Sequence, residues 1–219
     1  MYSTPSCTLT ALLTLVSAGA SASTTDVNIS GVLTPSACTP ALTSNGQVDF
    51  GNIALPDLDP QPGLPDHSIL APRHLTFTVM CDRPTRFALV ATGNRRDSTS
   101  IPLPNAFGLG TTSSGQAIGY YSAIWTNNDA RLDSLPADTL YSEDQGNTWT
   151  PVSGGSFEHL GDKPDARLSF TRRGVGQNSP SPATLLTLRL QVSGWLRNDI
   201  PHLDAALLDG HMTIELQYL

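Results

Sequence analysis

Three cysteines carry the most reactive side chains of this chain, and their spacing bears on its redox chemistry. They are Cys7, Cys38 and Cys81. Neither Cys38 nor Cys81 has a Cys or His neighbour at the spacing of a zinc ligand set. Once Cys7 is removed by export, the even pair that remains predicts one disulfide, Cys38–Cys81, in an oxidising compartment. Two buried free thiols are the alternative.

Residues 1–22 have the features of a signal peptide. Leu9 to Ala18 is apolar over the length of a signal core, and Ala20-Ser21-Ala22 supplies a small-x-small cleavage site. The apolar stretch is too short to span a membrane. We therefore expect cleavage before Ser23, with a cut after Ala20 as the alternative, and export to the periplasm without Cys7.

The remaining polar residues give no catalytic set. The sequence contains no G-x-S-x-G nucleophile motif. Five histidines are present, and none has the spacing of a metal ligand pair: His67, His74, His159, His202 and His211. We therefore predict that the protein is not an enzyme and that it needs no metal and no cofactor.

One short motif, from Ser142 to Trp149, has a defined geometry. It follows the pattern S-x-D-x-G-x-T-W and resembles the Asp-box of sialidases and other β-propeller proteins. Its residues are Ser142, Asp144, Gly146, Thr148 and Trp149. In such a motif the Asp and Gly form a turn, the hydroxyls tie it and the Trp packs beneath it. A propeller needs several copies, so this single copy predicts one structural hairpin.

Composition indicates an all-β domain. Only 14% of the 219 residues are charged, whereas Gly (18) and Pro (17) are plentiful, as expected for short strands joined by turns. The length suits one sizeable domain. The net charge of −7 excludes a basic nucleic-acid surface.

Alternating apolar residues place the strands of that domain. Residues 26–33 alternate up to Pro35, residues 74–81 and 184–194 form long strands, and residues 211–219 end the chain on another. Residues 47–53 predict a short strand. The proline-rich residues 56–72 predict a loop or an edge without a ladder. A sandwich or barrel follows.

The order of these features resembles that of pilins of the chaperone–usher pathway. An alternating segment leads to Cys38, Val48-Asp49-Phe50-Gly51 follows, Cys81 closes a strand, and Tyr218 is penultimate. The run from Thr34 to Pro40, with Phe107-Gly108-Leu109-Gly110, resembles more narrowly the DUF1120 group, described as probable β-fimbrial major subunits.

This resemblance implies an immunoglobulin-like, pilin-type β-sandwich (residues 35–219) that lacks one strand. The resulting groove is completed by a strand from a periplasmic chaperone and then by the arm of the next subunit. The implied donor arm is 23–34, with Val27, Ile29 and Leu33 as donor residues. The implied acceptor residues are Met212, Ile214, Leu216 and Tyr218. The implied partners are a periplasmic chaperone, an outer-membrane usher and other subunits, and the implied location is the cell surface.

A single-domain, glycan-binding fimbrial adhesin at the fibre tip is the alternative function. Aromatic side chains that could stack on host or surface sugars are Tyr120, Tyr121, Trp125, Tyr141, Trp149 and Trp195. Tip adhesins of this pathway usually carry a separate binding domain, for which the chain has no room. The sequence therefore favours a structural subunit.

Overall fold

A computed structural model describes residues 37–126, 128–152, 157–174, 178–200 and 206–219. The predicted signal peptide (1–22) and donor arm (23–34), with Val27, Ile29 and Leu33, lie outside these residues. Among the described residues, no helix is long and apolar enough to cross a membrane.

The described residues form short and long β-strands joined by turns, with three 3-10 turns at Thr43–Gly46, Leu55–Asp57 and Arg96–Ser98. The strands are β1 (Cys38–Leu42), β2 (Pro60–Gln61), β3 (Leu64–Ile69), β4 (Arg73–Thr85), β5 (Phe87–Gly93), β6 (Phe107–Gly108), β7 (Gly119–Trp125), β8 (Ala130–Leu132), β9 (Leu135–Ser142), β10 (Thr150–Pro151), β11 (Glu158–His159), β12 (Arg167–Arg172), β13 (Ala183–Arg197) and β14 (Met212–Tyr218). The all-β prediction is confirmed.

The strands pair antiparallel in two layers. In the first layer β4 and β13 run side by side, with β1 on the outer edge of β4 and with β7 and β8 beyond β13. In the second layer the order is β10-β9-β12-β5-β14. The β8–β9 hairpin joins the layers. The path of paired strands therefore begins at β1 and ends at β14.

The core lies between the layers and follows the period of two that was visible in the sequence. In β4, Phe77 and Val79 are buried and Met80 between Val79 and Cys81 is exposed, because successive side chains of a strand point to opposite faces. Across the core, the Trp125 and Phe170 rings lie 6.5 Å apart between centroids. The Trp125 indole N–H donates to Thr139 Oγ1 at 3.0 Å, so its polar atom is satisfied where the ring is buried.

The predicted Cys38–Cys81 disulfide is present and closes a sequence separation of 43 residues. The two cysteines are direct partners in the β1–β4 ladder. The bond thus fixes the start of β1 to β4 at one edge of the first layer.

Two sequence predictions about the first third of the chain are wrong. Residues 47–53 form no strand, although Val48, Phe50 and Ile53 are half-buried against the core. Conversely, the proline-rich stretch contains β3, which pairs with β13 through residues 67–69. Pro65 precedes those paired positions, so its missing N–H costs no ladder hydrogen bond.

Glu158 in β11 is a carboxylic acid buried in this fold. The residue is 6% exposed, and its Oε1 has no hydrogen-bond partner among the described residues. Burial raises the pKa of the carboxyl from 4.5 to about 7 because the charged form loses its hydration.

This burial predicts a pH-dependent stability. Between pH 4.5 and 7 the unfolded chain releases the Glu158 proton and the folded chain keeps it, so stability falls as pH rises. One pKa unit corresponds to about 1.4 kcal/mol, which limits the loss to about 3 kcal/mol. Glu158→Gln should remove that loss. The measurement is the unfolding free energy of the variant minus that of the wild type, obtained from urea unfolding at about pH 5 and again at about pH 8. Glu215→Gln, on the exposed face of β14, is the control. An equal difference at both pH values would contradict the prediction.

Candidate functional site: a groove between two strand edges

The two ends of the strand path each have an edge that no described strand covers. β1 pairs only with β4, and β14 pairs only with β5, among the described residues. Such an edge presents backbone N–H and C=O groups that can pair with another strand.

An apolar groove of about 1070 Å³ lies between these two strands. Pro40, Ala41 and Leu42 of β1 line one side, and Met212 and Ile214 of β14 line the other. Buried core side chains form its floor, among them Leu75, Phe77, Ala123, Leu190 and Val192. The groove is therefore an opening between the layers that reaches the core.

Of the four predicted acceptor residues, Met212 and Ile214 line this groove, and Leu216 and Tyr218 lie further along β14. Met212, Ile214 and Leu216 face inward and are half-buried, alternating with the exposed Thr213 and Glu215. Inward-facing residues of the central strand β13, such as Leu188, are fully buried. The difference arises because β5 is the only described strand that pairs with β14.

Tyr218 differs from the other three acceptor residues because it is 54% exposed. Its hydroxyl oxygen accepts a hydrogen bond from the Cys38 N–H at 2.9 Å. Thus one side chain of β14 joins the start of β1 across the groove, next to the disulfide. The contact joins the two strands beyond Pro40 and Ile214, the last residues of β1 and β14 that line the groove on this side, which we call the Tyr218 end.

A tyrosine and a glycine fit closely in the groove wall near the start of β14. Tyr121 of β7 is buried, and burial raises the pKa of its phenol. A Cβ at position 210 would lie 2.8 Å from Cε1 of Tyr121, closer than van der Waals contact allows. Gly210 therefore lets the chain pass over the Tyr121 ring as it enters β14.

Residues 47–53 pass over the end of the groove that is opposite Tyr218. Val48, Asp49 and Phe50 line both this groove and a second cavity of about 1220 Å³. The second cavity is also lined by Ile118, Leu196 and Leu208, the last of which lies shortly before β14. Sequence reasoning missed this arrangement because the alternation of Val48 and Phe50 is equally typical of a strand.

The motif from Ser142 to Trp149 forms the turn between β9 and β10. Thr148 donates through its N–H to Asp144 Oδ1 at 2.8 Å and through its hydroxyl to Oδ2 at 2.6 Å. Ser142 Oγ donates to Asp144 Oδ1 and accepts from the Gly146 N–H. Hydrogen bonds from Thr148, and to a smaller extent from Ser142, lower the pKa of Asp144 to about 2. Gly146 has φ +94°, a left-handed conformation that favours glycine.

This turn lies beside the end of β14. A Cβ at Gly146 would be 3.3 Å from Trp149 Cζ2 and 3.5 Å from Leu219 Cδ2. Nearby, Lys163 Nζ lies 3.3 Å from Glu143 Oε1 and 5.8 Å from the centroid of the Tyr141 ring. The turn is thus a support for the Tyr218 end of the groove.

Within the described residues, no group of three or more His, Cys, Asp or Glu side chains could hold a metal ion. Of the aromatic residues considered for sugar binding, Trp125 is buried in the core. Tyr120 is buried and stacks on the half-buried Trp195 with centroids 4.8 Å apart.

Comparison with known proteins gives a family match and two relatives. Residues 27–105 match the model of a family described as "Protein of unknown function (DUF1120)". Protein GltF of Escherichia coli (strain K12) is 28% identical over 225 residues, covering 89% of this chain and 88% of the relative. The uncharacterized protein YhcF of the same strain is 24% identical, covering 88% and 90%. The match to the DUF1120 model includes β1, β4, β5 and both cysteines of the Cys38–Cys81 disulfide.

Proposed function

We propose that the protein is a structural subunit of a bacterial fimbria, assembled by donor-strand exchange and contributing to surface adhesion. It is exported through the periplasm, where a chaperone lends it a strand, and an outer-membrane usher then joins it to other subunits at the cell surface. Its role is non-catalytic.

The observation that carries this proposal is the groove between β1 and β14. Two strand edges without a described partner flank a cavity of about 1070 Å³ that is lined mainly by apolar residues, and Met212 and Ile214 of β14 line it two positions apart. An extended peptide that enters such a groove gains backbone hydrogen bonds from the edges and places alternate side chains in the cavity. The groove thus fits a strand better than it fits a compact small molecule.

The donor segment proposed is Ser23–Thr34 of another copy or of a related subunit. Val27 and Ile29 lie two positions apart, so both side chains point to one face of an extended strand. That face matches the apolar alternation of β14.

A peptide of residues Ser23–Thr34 tests the proposal. The acceptor is the full exported chain with Val27→Asp and Ile29→Asp, so that only the added peptide can donate a strand. At a concentration one hundred times its Kd, the peptide should stabilise the folded acceptor by about 2.7 kcal/mol. This stabilisation should be seen as a rise in the thermal midpoint. A peptide with Ile29→Asp is the matched control. No stabilisation by the natural sequence, or equal stabilisation by both peptides, would overturn the proposal.

A further inference from the structure

Residues 47–53, which we call the strap, lie over the groove without belonging to a sheet. Val48, Phe50 and Ile53 are half-buried against the core, whereas Asp49, Gly51 and Asn52 are exposed. Among the described residues, no backbone–backbone hydrogen bond joins residues 48–53 to any strand. The strap is therefore held by side-chain contacts alone.

One arginine makes two of these contacts. Arg73 begins β4, and its Nε donates to the Asp49 carbonyl oxygen at 3.1 Å. Its guanidinium carbon lies 5.7 Å from the centroid of the Phe50 ring, within the range of a cation–π contact. Arg73 is exposed, and at exposed sites such a contact contributes only about 0.5–1 kcal/mol. Arg73 therefore adds a small, separable fastening to the hold that the half-buried Val48, Phe50 and Ile53 provide.

The strap also divides the space that it covers. The groove ends beneath Val48, Asp49 and Phe50, and the second cavity begins beneath the same three residues. Leu208, just before β14, lines both cavities as well. If the strap lifted, the two spaces would form one apolar channel extending beyond Met212.

We propose that the strap, fastened by Arg73, is a displaceable gate that an incoming strand must lift to occupy the groove beyond Met212. This inference rests on the proposed function and adds a regulation to it. β14 has seven residues, and the segment Ser23–Thr34 is longer, so a donor of that length reaches the strap. Before a donor arrives, Val48 and Phe50 cover apolar surface that would otherwise face water.

Arg73→Ala tests the gate. In hydrogen exchange followed by mass spectrometry, amides 48–53 should exchange several-fold faster in the variant, because the strap opens more often. The Ser23–Thr34 peptide should also associate several-fold faster with the variant, since opening precedes binding. Phe50→Ala, which removes the other half of the cation–π contact, should act in the same direction.

Arg83→Ala is the matched control, because Arg83 is an exposed arginine near the far end of the same strand. It should change neither the exchange nor the association. Peptide binding at equal rates by wild type and Arg73→Ala would overturn the gate and leave the proposed function intact, as would unchanged exchange of amides 48–53. Failure of every variant to bind the peptide would overturn the proposed function and the gate together.

Discussion

Replacing both Cys38 and Cys81 by alanine should lower the free energy of unfolding by about 4 kcal/mol. The disulfide closes a loop with a sequence separation of 43 residues, and in the chain-entropy model the cross-link acts mainly by restricting the unfolded chain. In the folded state the same bond fixes β1, which pairs with β4 on one side only among the described strands. Without the bond, the start of β1 is retained by the ladder to β4, by the hydrogen bond to Tyr218 and by two hydrogen bonds between Ala37 and Asp82.

Urea unfolding followed by circular dichroism would measure this loss. A reductant should destabilise the wild type by the same amount and leave the double variant unchanged. Cys7→Ala should have no effect on the purified protein, because Cys7 lies in the predicted signal peptide. Equal stability of the wild type and the double variant under oxidising conditions would contradict the prediction.

Ile214→Asp should weaken binding of the Ser23–Thr34 peptide by at least about a hundredfold, because a strand that covers the groove would bury the new carboxylate without a partner. Ile214 lines the groove and is half-buried in the unoccupied protein, so the cost falls chiefly on the bound state. Isothermal titration calorimetry with the arm-substituted acceptor would measure the affinity.

Thr213→Asp is the control for that substitution. It introduces the same charge one residue away, on the exposed face of β14, and should change the affinity less than about threefold. Both variants should be checked for a folded β-signal before titration. Similar losses in the two variants would show that the groove face of β14 does not receive the peptide.

The long strands could be predicted from the sequence because the core lies on one face of each layer. Phe77 and Val79 in β4, and Leu186, Leu188 and Leu190 in β13, alternate with polar or exposed residues, and that period survives in the fold. The disulfide followed from the cysteine count and from the predicted export.

The strap and β3 could not be predicted, because in both cases pairing rather than side-chain pattern decides the structure. Val48 and Phe50 have strand-like alternation, but no described strand pairs with them. β3 contains Pro65 and yet pairs with the last residues of β13, which lie beyond the part of β13 that pairs with β4. The second cavity could not be predicted either, because Leu208 and the strap line it together although they are far apart in sequence.

Lys163 beside Tyr141 and Glu143 has a practical consequence for following assembly by fluorescence. It is the single lysine of the chain, so an amine-reactive dye has one side-chain target in addition to the terminal amine. Hydrogen bonding to Tyr141, and to a smaller extent to Glu143, raises the pKa of Lys163. Labelling this amine therefore needs a more alkaline pH than labelling an ordinary lysine. A dye at this position would sit near the Tyr218 end of the groove. Energy transfer between donor- and acceptor-labelled copies would then report the spacing of subunits along the proposed fibre.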